Sequence, residues 1–296
     1  MKIVVTHSSP DMDAITSVWL IKKFLAGWEN SVVKFVPAGD RINNNKNTKD
    51  AIEKIGDDEI IHVDTGLGPL DHHQTASDKV CGASLTFNFV KEHISKHNIE
   101  ALERMVKVIV DIDHFKEVFR KDALADYHEF DLAAILDGLK LEFPGQDDLY
   151  VVEIIKSLDA VLHGFENRIW AEKEIKENGK KFETRFGEGM GFETINDSVV
   201  KLAQKMGYAI AVRKDPRKGY VRVKARPSQV KNEKLKIKNN DIDLTLVYEK
   251  LKKMDPQATW YLHISKKMLL NGSVKNPKMR PTKLGIDEII RVLEQI

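Results

Sequence analysis

The sequence predicts an α/β protein of two domains. The first, over 1–178, is a parallel-sheet domain with a helical connector, and the second, over 179–296, is a smaller α/β domain. Three observations predict this. Short β-branched runs alternate with helical spacing through the first part of the chain, the rhythm of a parallel sheet with right-handed crossovers. A long helical region follows. Strand-like and helix-like segments then resume, and 296 residues are natural for two domains.

In the first domain a strand is expected over 2–6, where Lys-Ile-Val-Val-Thr alternates little, as a strand buried on both faces would. The turn-like Ser-Ser-Pro-Asp-Met-Asp precedes a helix over 14–25, with Ile15, Val18, Trp19, Ile21 and Leu25 at helical spacing. A strand over 31–36, an Asn-rich loop over 43–47 and a short helix over 50–55 follow. The next strand, over 59–63, ends at Asp64, and a fourth short one closes at Leu70. Residues 83–112 read as helical with a break near His97-Asn98, and 118–178 as helical with a break at Phe143-Pro144-Gly145. The charged run over 171–181 reads as an exposed transition from helix to linker. In the second domain the expected elements are a helix over 198–206, strands over 209–212, 220–226 and 260–264, and a final helix over 286–296.

The composition, 42% hydrophobic and 31% charged, is that of a globular protein with material for real cores. No apolar run reaches the roughly 18 residues of a membrane span, and Met-Lys-Ile-Val-Val-Thr-His lacks a signal-peptide layout. Cys81 is the single cysteine and has no disulfide partner in the chain. A cytoplasmic protein without membrane contact is therefore expected, with Cys81 a small buried residue rather than a nucleophile. The net charge of +2 conceals an asymmetry. From Lys201 onward there are 23 Lys and Arg against 9 Asp and Glu, whereas the first 200 residues carry 24 against 36. An acidic half suits cations and a basic half suits a polyanion, though a solvated lysine-rich surface has the same composition.

Candidate chemistry gathers where the strands of the first domain end. His7, Asp11 and Asp13 follow the first strand, with Pro10 fixing a bend. Helix capping alone could explain the two aspartates, but a cap needs no histidine. His62-Val63-Asp64-Thr65-Gly66 again places an acid after a β-branched run, where a turn residue is the ordinary alternative. Asp71-His72-His73-Gln74 puts a carboxylate beside paired imidazoles, an arrangement that orients metal-binding histidines; a surface histidine pair is the alternative. Acids and imidazoles without thiolates suit manganese, magnesium or zinc-like ions. The surplus of carboxylates points to two cations sharing a bridging acid.

His7-x3-Asp11-x-Asp13-Ala14, Val63-Asp64 and Asp71-His72-His73 resemble the first three motifs of the DHH phosphoesterase superfamily. That group includes RecJ-like exonucleases, nanoRNase-like enzymes, pAp phosphatases, cyclic-dinucleotide phosphodiesterases and family II pyrophosphatases. The likeness covers roughly the first 115 residues. Asp71-His72-His73-Gln74 with Cys81-Gly82-Ala83-Ser84 is also similar to the melanocyte-proliferating-gene exonuclease family, whose first motif differs. The resemblance implies one ion on His7, Asp11 and Asp64, and a second on Asp13, Asp64, His72 and a fourth-motif aspartate. Asp111 is the choice for that fourth acid because Phe115 follows four residues later. Asp113 is the alternative, since residues two apart on a helix point differently. His73 would hydrogen-bond the scissile phosphate and Asp71 would orient a histidine. The ions would be manganese, with magnesium possible.

The glycine-rich, histidine-bearing loop of many members is missing; Gly187-Glu188-Gly189-Met190-Gly191 is acidic and lacks the histidine. The Ser-Arg-Lys loop of the pyrophosphatases is not evident either. In the second domain Arg222, Lys224 and Arg226 alternate with Val221, Val223 and Ala225, which makes one strand face basic. That face suits phosphate recognition, with a charged edge strand as the alternative. Asn271, Gly272 and Ser273, in the stretch running to Pro277 through Val274, are further candidate substrate contacts. The expected activity is hydrolysis of phosphoester bonds in a nucleotide or short oligonucleotide. Two rivals stand beside it: a non-catalytic nucleic-acid-binding scaffold, and a pyrophosphate or polyphosphate hydrolase.

Overall fold

A computed structural model describes residues 1–42, 49–227, 241–273 and 275–296, the side chain of His97 excepted. The Asn-rich loop expected over 43–47, and Val274, lie outside the described residues. The chain is α/β and divides into two compact units, Met1–Glu166 and Asn167–Ile296.

The first unit is built on a four-stranded sheet in the order β2-β1-β4-β3. Strand β1 (Lys2–His7) pairs in parallel with β2 (Val32–Val36) and with β4 (Asp58–His62), while β3 (Glu53–Ile55) runs antiparallel to β4. The sheet is therefore mixed, which corrects the all-parallel expectation. The helix expected over 50–55 is instead a strand, because Gly56 at φ +62° turns the chain back and pairs Ile55 with Asp58. Leu70 closes no strand; its carbonyl accepts from the Asp64 amide at 3.0 Å and folds the intervening loop on itself.

Ile3, Val4, Val5 and Thr6 are all buried, so both faces of β1 are covered and the run needs no polar alternation. Helix α1 (Met12–Phe24) is buried from Met12 through Ile21. It packs against β1, α2 (Gly82–Val90) and α3 (Lys96–Asp113). The helical break expected at His97-Asn98 falls slightly earlier, at Ile94-Ser95, with Ser95 extended at the N-cap of α3. Two 3-10 turns, Lys116–Phe119 and Asp126–Phe130, lead to α4 (Leu132–Glu142). Gly145, at φ +74°, lies in the link from α4 to α5 (Asp147–Asn178).

The unit boundary lies within α5, twelve residues before the one read from the sequence. Ala171 and Ile175, in the run expected to be an exposed linker, are buried with Met190, Phe192, Val199 and Val200. The charges of that run mask a narrow apolar stripe. The second unit is a six-stranded mixed sheet in the order β5-β6-β7-β8-β10-β9. Its strands are β5 (Lys180–Thr184), β6 (Gly187–Glu193), β7 (Ile210–Lys214), β8 (Val221–Ala225), β9 (Tyr261–Leu262) and β10 (Met268–Asn271). Helix α6 (Ser198–Lys205) joins the parallel pair β6 and β7 and buries Val199, Val200 and Ala203 against Ala211. Helices α7 (Thr245–Met254) and α8 (Ile286–Leu293) share a second core with Val212, Val221 and Val223. The β5–β6 hairpin, α7 and β10 were absent from the sequence reading. The glycine-rich stretch 187–191 lies in β6, not in a loop.

Candidate metal centre

Four segments of the first unit meet at Asp64. His7 ends β1, and its Nε2 lies 3.3 Å from Asp64 Oδ2 and 3.9 Å from Asp11 Oδ2. Asp11 is the N-cap of α1: its Oδ1 accepts from the Ala14 amide at 2.9 Å, leaving Oδ2 for the cluster. Capping and site membership are thus compatible in one carboxylate. His72 Nε2 stands 3.5 Å from Asp64 Oδ1, 3.7 Å from Asp13 Oδ2 and 3.7 Å from Asp113 Oδ2. Asp64 faces both groups of side chains, one carboxylate oxygen toward each.

Local chain chemistry puts these groups in place. Asp64 follows the buried end of β4 with φ +52°, a left-handed conformation that aspartate tolerates better than most residues. Asp13 is fully buried and accepts 2.6 Å hydrogen bonds from the Gly82 and Ala83 amides, at the N-terminus of α2. Those free amides and the helix dipole favour a carboxylate there. A Cβ on Gly82 would stand 2.9 Å from Asp64 Cβ and 3.0 Å from Asp13 Oδ2, so only glycine lets α2 approach the two acids. Asp71 is equally buried. Its Oδ2 accepts from the Leu67 amide at 2.7 Å, and its Oδ1 from the His73 amide at 3.0 Å and His73 Nδ1 at 2.7 Å. This bond fixes the imidazole of His73, whose ring is half exposed.

The electrostatics separate Asp71 from its neighbours. Burial would raise its pKa, but the hydrogen bonds from His73 and Leu67 outweigh that and hold it below the usual carboxylate value. Asp64, pressed by burial and then by the charges of Asp11 and Asp71, is pushed up to about 9. Burial and then Asp64 raise Asp13, and burial raises Asp113. Burial likewise lowers His72, against the pull of Asp113. Asp64 Oδ1 and Asp113 Oδ2 are buried without a hydrogen-bond partner. Buried carboxylates are ordinarily paired or hold metal. This donor set therefore fits divalent cations, which would supply the missing positive charge. Three possible ligand groups overlap here: His7, Asp11 and Asp64; Asp64, His72 and His73; and His72, Asp113 and His114.

Asp111 does not join this cluster. It sits two residues back on α3, 38% exposed, paired with Lys107 at 3.2 Å and Lys116 at 3.7 Å. A step of two residues turns a helix through more than half a revolution, and only Asp113 faces His72. The fourth acid is thus corrected from Asp111 to Asp113. His114 was missed. Its Nε2 donates to the Val80 carbonyl at 3.0 Å and lies 3.5 Å from Asp113 Oδ2. Its signal was present, because Asp113-His114 repeats the acid–imidazole pair Asp71-His72. His62, two residues before Asp64, is turned away from the cluster. It is buried with Arg41 and Glu53, and accepts from the Ile42 amide. Cys81 is buried, and burial pushes its thiol pKa up, which leaves it inert as a nucleophile.

In the second unit β8 is an interior strand, flanked by β7 and β10, which removes the edge-strand alternative. Arg222 and Lys224 share a face with Arg213 and Ala211 across the β7–β8 register. Arg222 is ion-paired to Asp197, and Arg213 contacts the same carboxylate. Arg226 is exposed beyond the strand. The reading of Asn271, Gly272 and Ser273 as substrate contacts is corrected. Asn271 is fully buried, donating to the carbonyls of Thr259 and Arg280 and accepting from the Thr282 amide at 2.7 Å. Gly272 has φ +81°, and a Cβ there would fall 2.1 Å from the Tyr220 ring. Ser273 Oγ accepts from the Asn276 amide at 3.2 Å. Asn271 ties neighbouring segments together, and Gly272 and Ser273 serve the turn.

No helix among the described residues is long and apolar enough to cross a membrane. No family model and no curated protein matches the sequence. Among solved structures the chain matches one described as the crystal structure of an uncharacterized protein from Helicobacter pylori G27. The identity is 12%, over 100% of this chain and 99% of that one, with a TM-score of 0.26. A likeness that faint carries no argument about fold or function.

Proposed function

We propose that the protein is a two-metal phosphoesterase of the DHH type that hydrolyses phosphoester bonds in nucleotides or short oligonucleotides. The observation that carries this reading is the buried carboxylate of Asp64, flanked by His7 and Asp11 on one oxygen and by His72 on the other, with Oδ1 unpartnered. One cation would rest on His7, Asp11 and Asp64, and another on Asp64, Asp13, His72 and Asp113. Oxygen and imidazole donors suit manganese, with magnesium possible. When bound, such a pair lowers the pKa of water and stabilises charge on phosphoryl oxygens.

The chain's own groups complete the chemistry. Asp71 accepts from His73 Nδ1, so it holds the ring in one orientation, where it can hydrogen-bond a non-bridging phosphoryl oxygen as charge develops there. The amides of Gly82 and Ala83 hold Asp13 still, which limits reorganisation during the reaction. On the second unit Arg222 is engaged with Asp197, which leaves Lys224 and Arg226 as the candidates there for contact with a polyanionic ligand. The test is a manganese-supplemented screen of dinucleotides, pAp, cyclic dinucleotides and pyrophosphate. Hydrolysis of a nucleotide substrate that disappears in His73→Ala, with metal still bound, supports the proposal. Cleavage of pyrophosphate alone would replace the substrate class, and no cleavage with two ions bound would refute the enzyme.

A further inference from the structure

Arg41 and Glu53 form a buried ion pair in the first unit, beside the loop that carries Asp64 and Asp71. We infer that Arg41 is a positioning residue: braced by Glu53, its guanidinium clamps the 64–71 loop and so presets the acids of the metal centre. The inference rests on the two-cation part of the proposed function and is independent of the substrate class.

A buried guanidinium is costly unless it is paired and hydrogen-bonded, so its contacts show what it holds. Glu53, on β3, pairs with Nη2, and the Gly66 carbonyl accepts from Nη1 at 3.0 Å. His62, at the end of β4, packs against both partners, its Nδ1 3.2 Å from Arg41 Nη2 and 3.1 Å from Glu53 Oε1. The loop is shaped around the arginine. A Cβ on Gly66 would stand 2.5 Å from Arg41 Cγ, and one on Gly68 2.8 Å from Nη1. The residues before Arg41 add a second tie. Thr65 Oγ1 donates to the Asp40 carbonyl at 3.1 Å and accepts from the Gly39 amide at 3.2 Å.

The clamped backbone is one that needs holding. Asp64, Gly66 and Leu67 have φ of +52°, +79° and +54°, and a leucine rarely adopts that left-handed conformation. Backbone of this kind persists where its surroundings impose it, and it gathers at ligand sites. The bonds that set the acids run through the same few residues. The Asp64 amide donates to the Leu70 carbonyl at 3.0 Å, the Leu67 amide to Asp71 Oδ2 at 2.7 Å, and the Asp71 amide to the Gly68 carbonyl at 3.2 Å. Arg41 grips the loop at Gly66, between its two acids. Burial disfavours the Arg41 cation, and the charge of Asp71 supports it.

The experiment titrates the full chain with manganese by calorimetry and follows amide hydrogen exchange in the ion-free protein. Arg41→Gln should weaken ion binding by about 10–100-fold, the usual effect of losing a group that orients metal ligands. Exchange should quicken at Asp64, Leu67 and Asp71 while the amides of α1 keep their rates, which a general loss of stability would not do. Gly68→Ala, whose Cβ displaces Nη1, should act in the same direction. Arg41→Gln strands Glu53 in the interior, so the double variant Arg41→Met with Glu53→Met removes both charges, an exchange that buried pairs often tolerate. It should fold and lose ion affinity to the same extent. Parental ion affinity in the folded double variant, or parental exchange across the loop, would overturn the role of Arg41. Absence of bound ions in the parent chain would refute the metal centre instead, and the loop's exchange rates would still decide the clamp.

Discussion

Two clusters of buried charge invite comparison. Around Asp64 the acids outnumber their partners, and three of them are raised by burial and mutual repulsion. In the second unit, Arg213 is 7% exposed yet contacts Asp197, Asp215 and the Thr194 carbonyl. Burial tends to raise Asp215 as well, but the Arg217 and Lys218 amides and the charge of Arg213 hold it low. The difference is one of charge balance. The second cluster pairs its carboxylates with arginines of its own chain and therefore reads as structure, whereas the first lacks positive charge and therefore reads as a site for ions.

The largest effect should come from Asp64, which faces His7 with one oxygen and His72 with the other. Asp64→Asn is expected to weaken divalent-ion binding by more than ~100-fold, beyond the 10–100-fold typical of supporting residues, as measured by calorimetric titration. Asp113→Asn should follow in the same direction. Retention of two tightly bound ions in Asp64→Asn would erase the contrast between the clusters.

Removing the ions should expose the imbalance as a pH effect. Asp64 has an unfolded value near 3.8 and a folded value of about 9. The ion-free native state therefore binds the proton more tightly than the unfolded state. Its stabilising contribution is full below about pH 4 and declines as pH rises toward 9. Chelated protein should accordingly melt lower at pH 8.5 than at pH 6. Each kcal/mol lost shifts the midpoint by roughly 2–4 °C in a unit of this size. Adding manganese should restore most of the loss at pH 8.5. A melting temperature that rises with pH after chelation would contradict this assignment.

The charge-balanced cluster should respond in stability alone. Asp197→Ala leaves Arg213 and Arg222 without their shared partner and should destabilise the protein by roughly 1–3 kcal/mol, since Asp197 is partly exposed. Urea unfolding would measure it, with ion affinity within error of the parent. The smallest effect is expected for Asp111→Asn. Its surface pairs with Lys107 and Lys116 are worth about 0–1 kcal/mol, and ion binding should be unchanged. A large loss of bound metal in that variant would return the fourth-acid role to Asp111.

The sequence by itself determined that acids and imidazoles gather at 7–13 and 64, where strands of an α/β protein end, and at 71–73, after a turn. Each of those groups follows a local β-branched run or turn, so neighbours in sequence stay neighbours in space. What only the tertiary structure decided depended on rotation and distant partners. Asp111 and Asp113 have almost the same sequence surroundings, and the packing of α3 against α1 and α2 determines which faces His72. Asn271 looks like a loop donor until Thr259, Arg280 and Thr282 close around it. Arg222 looks free until Asp197, from the start of α6, reaches it. Periodicity records which residues share a strand or a helix. The angle at which a helix docks, and which remote carboxylate meets which arginine, are settled by the simultaneous packing of all the elements.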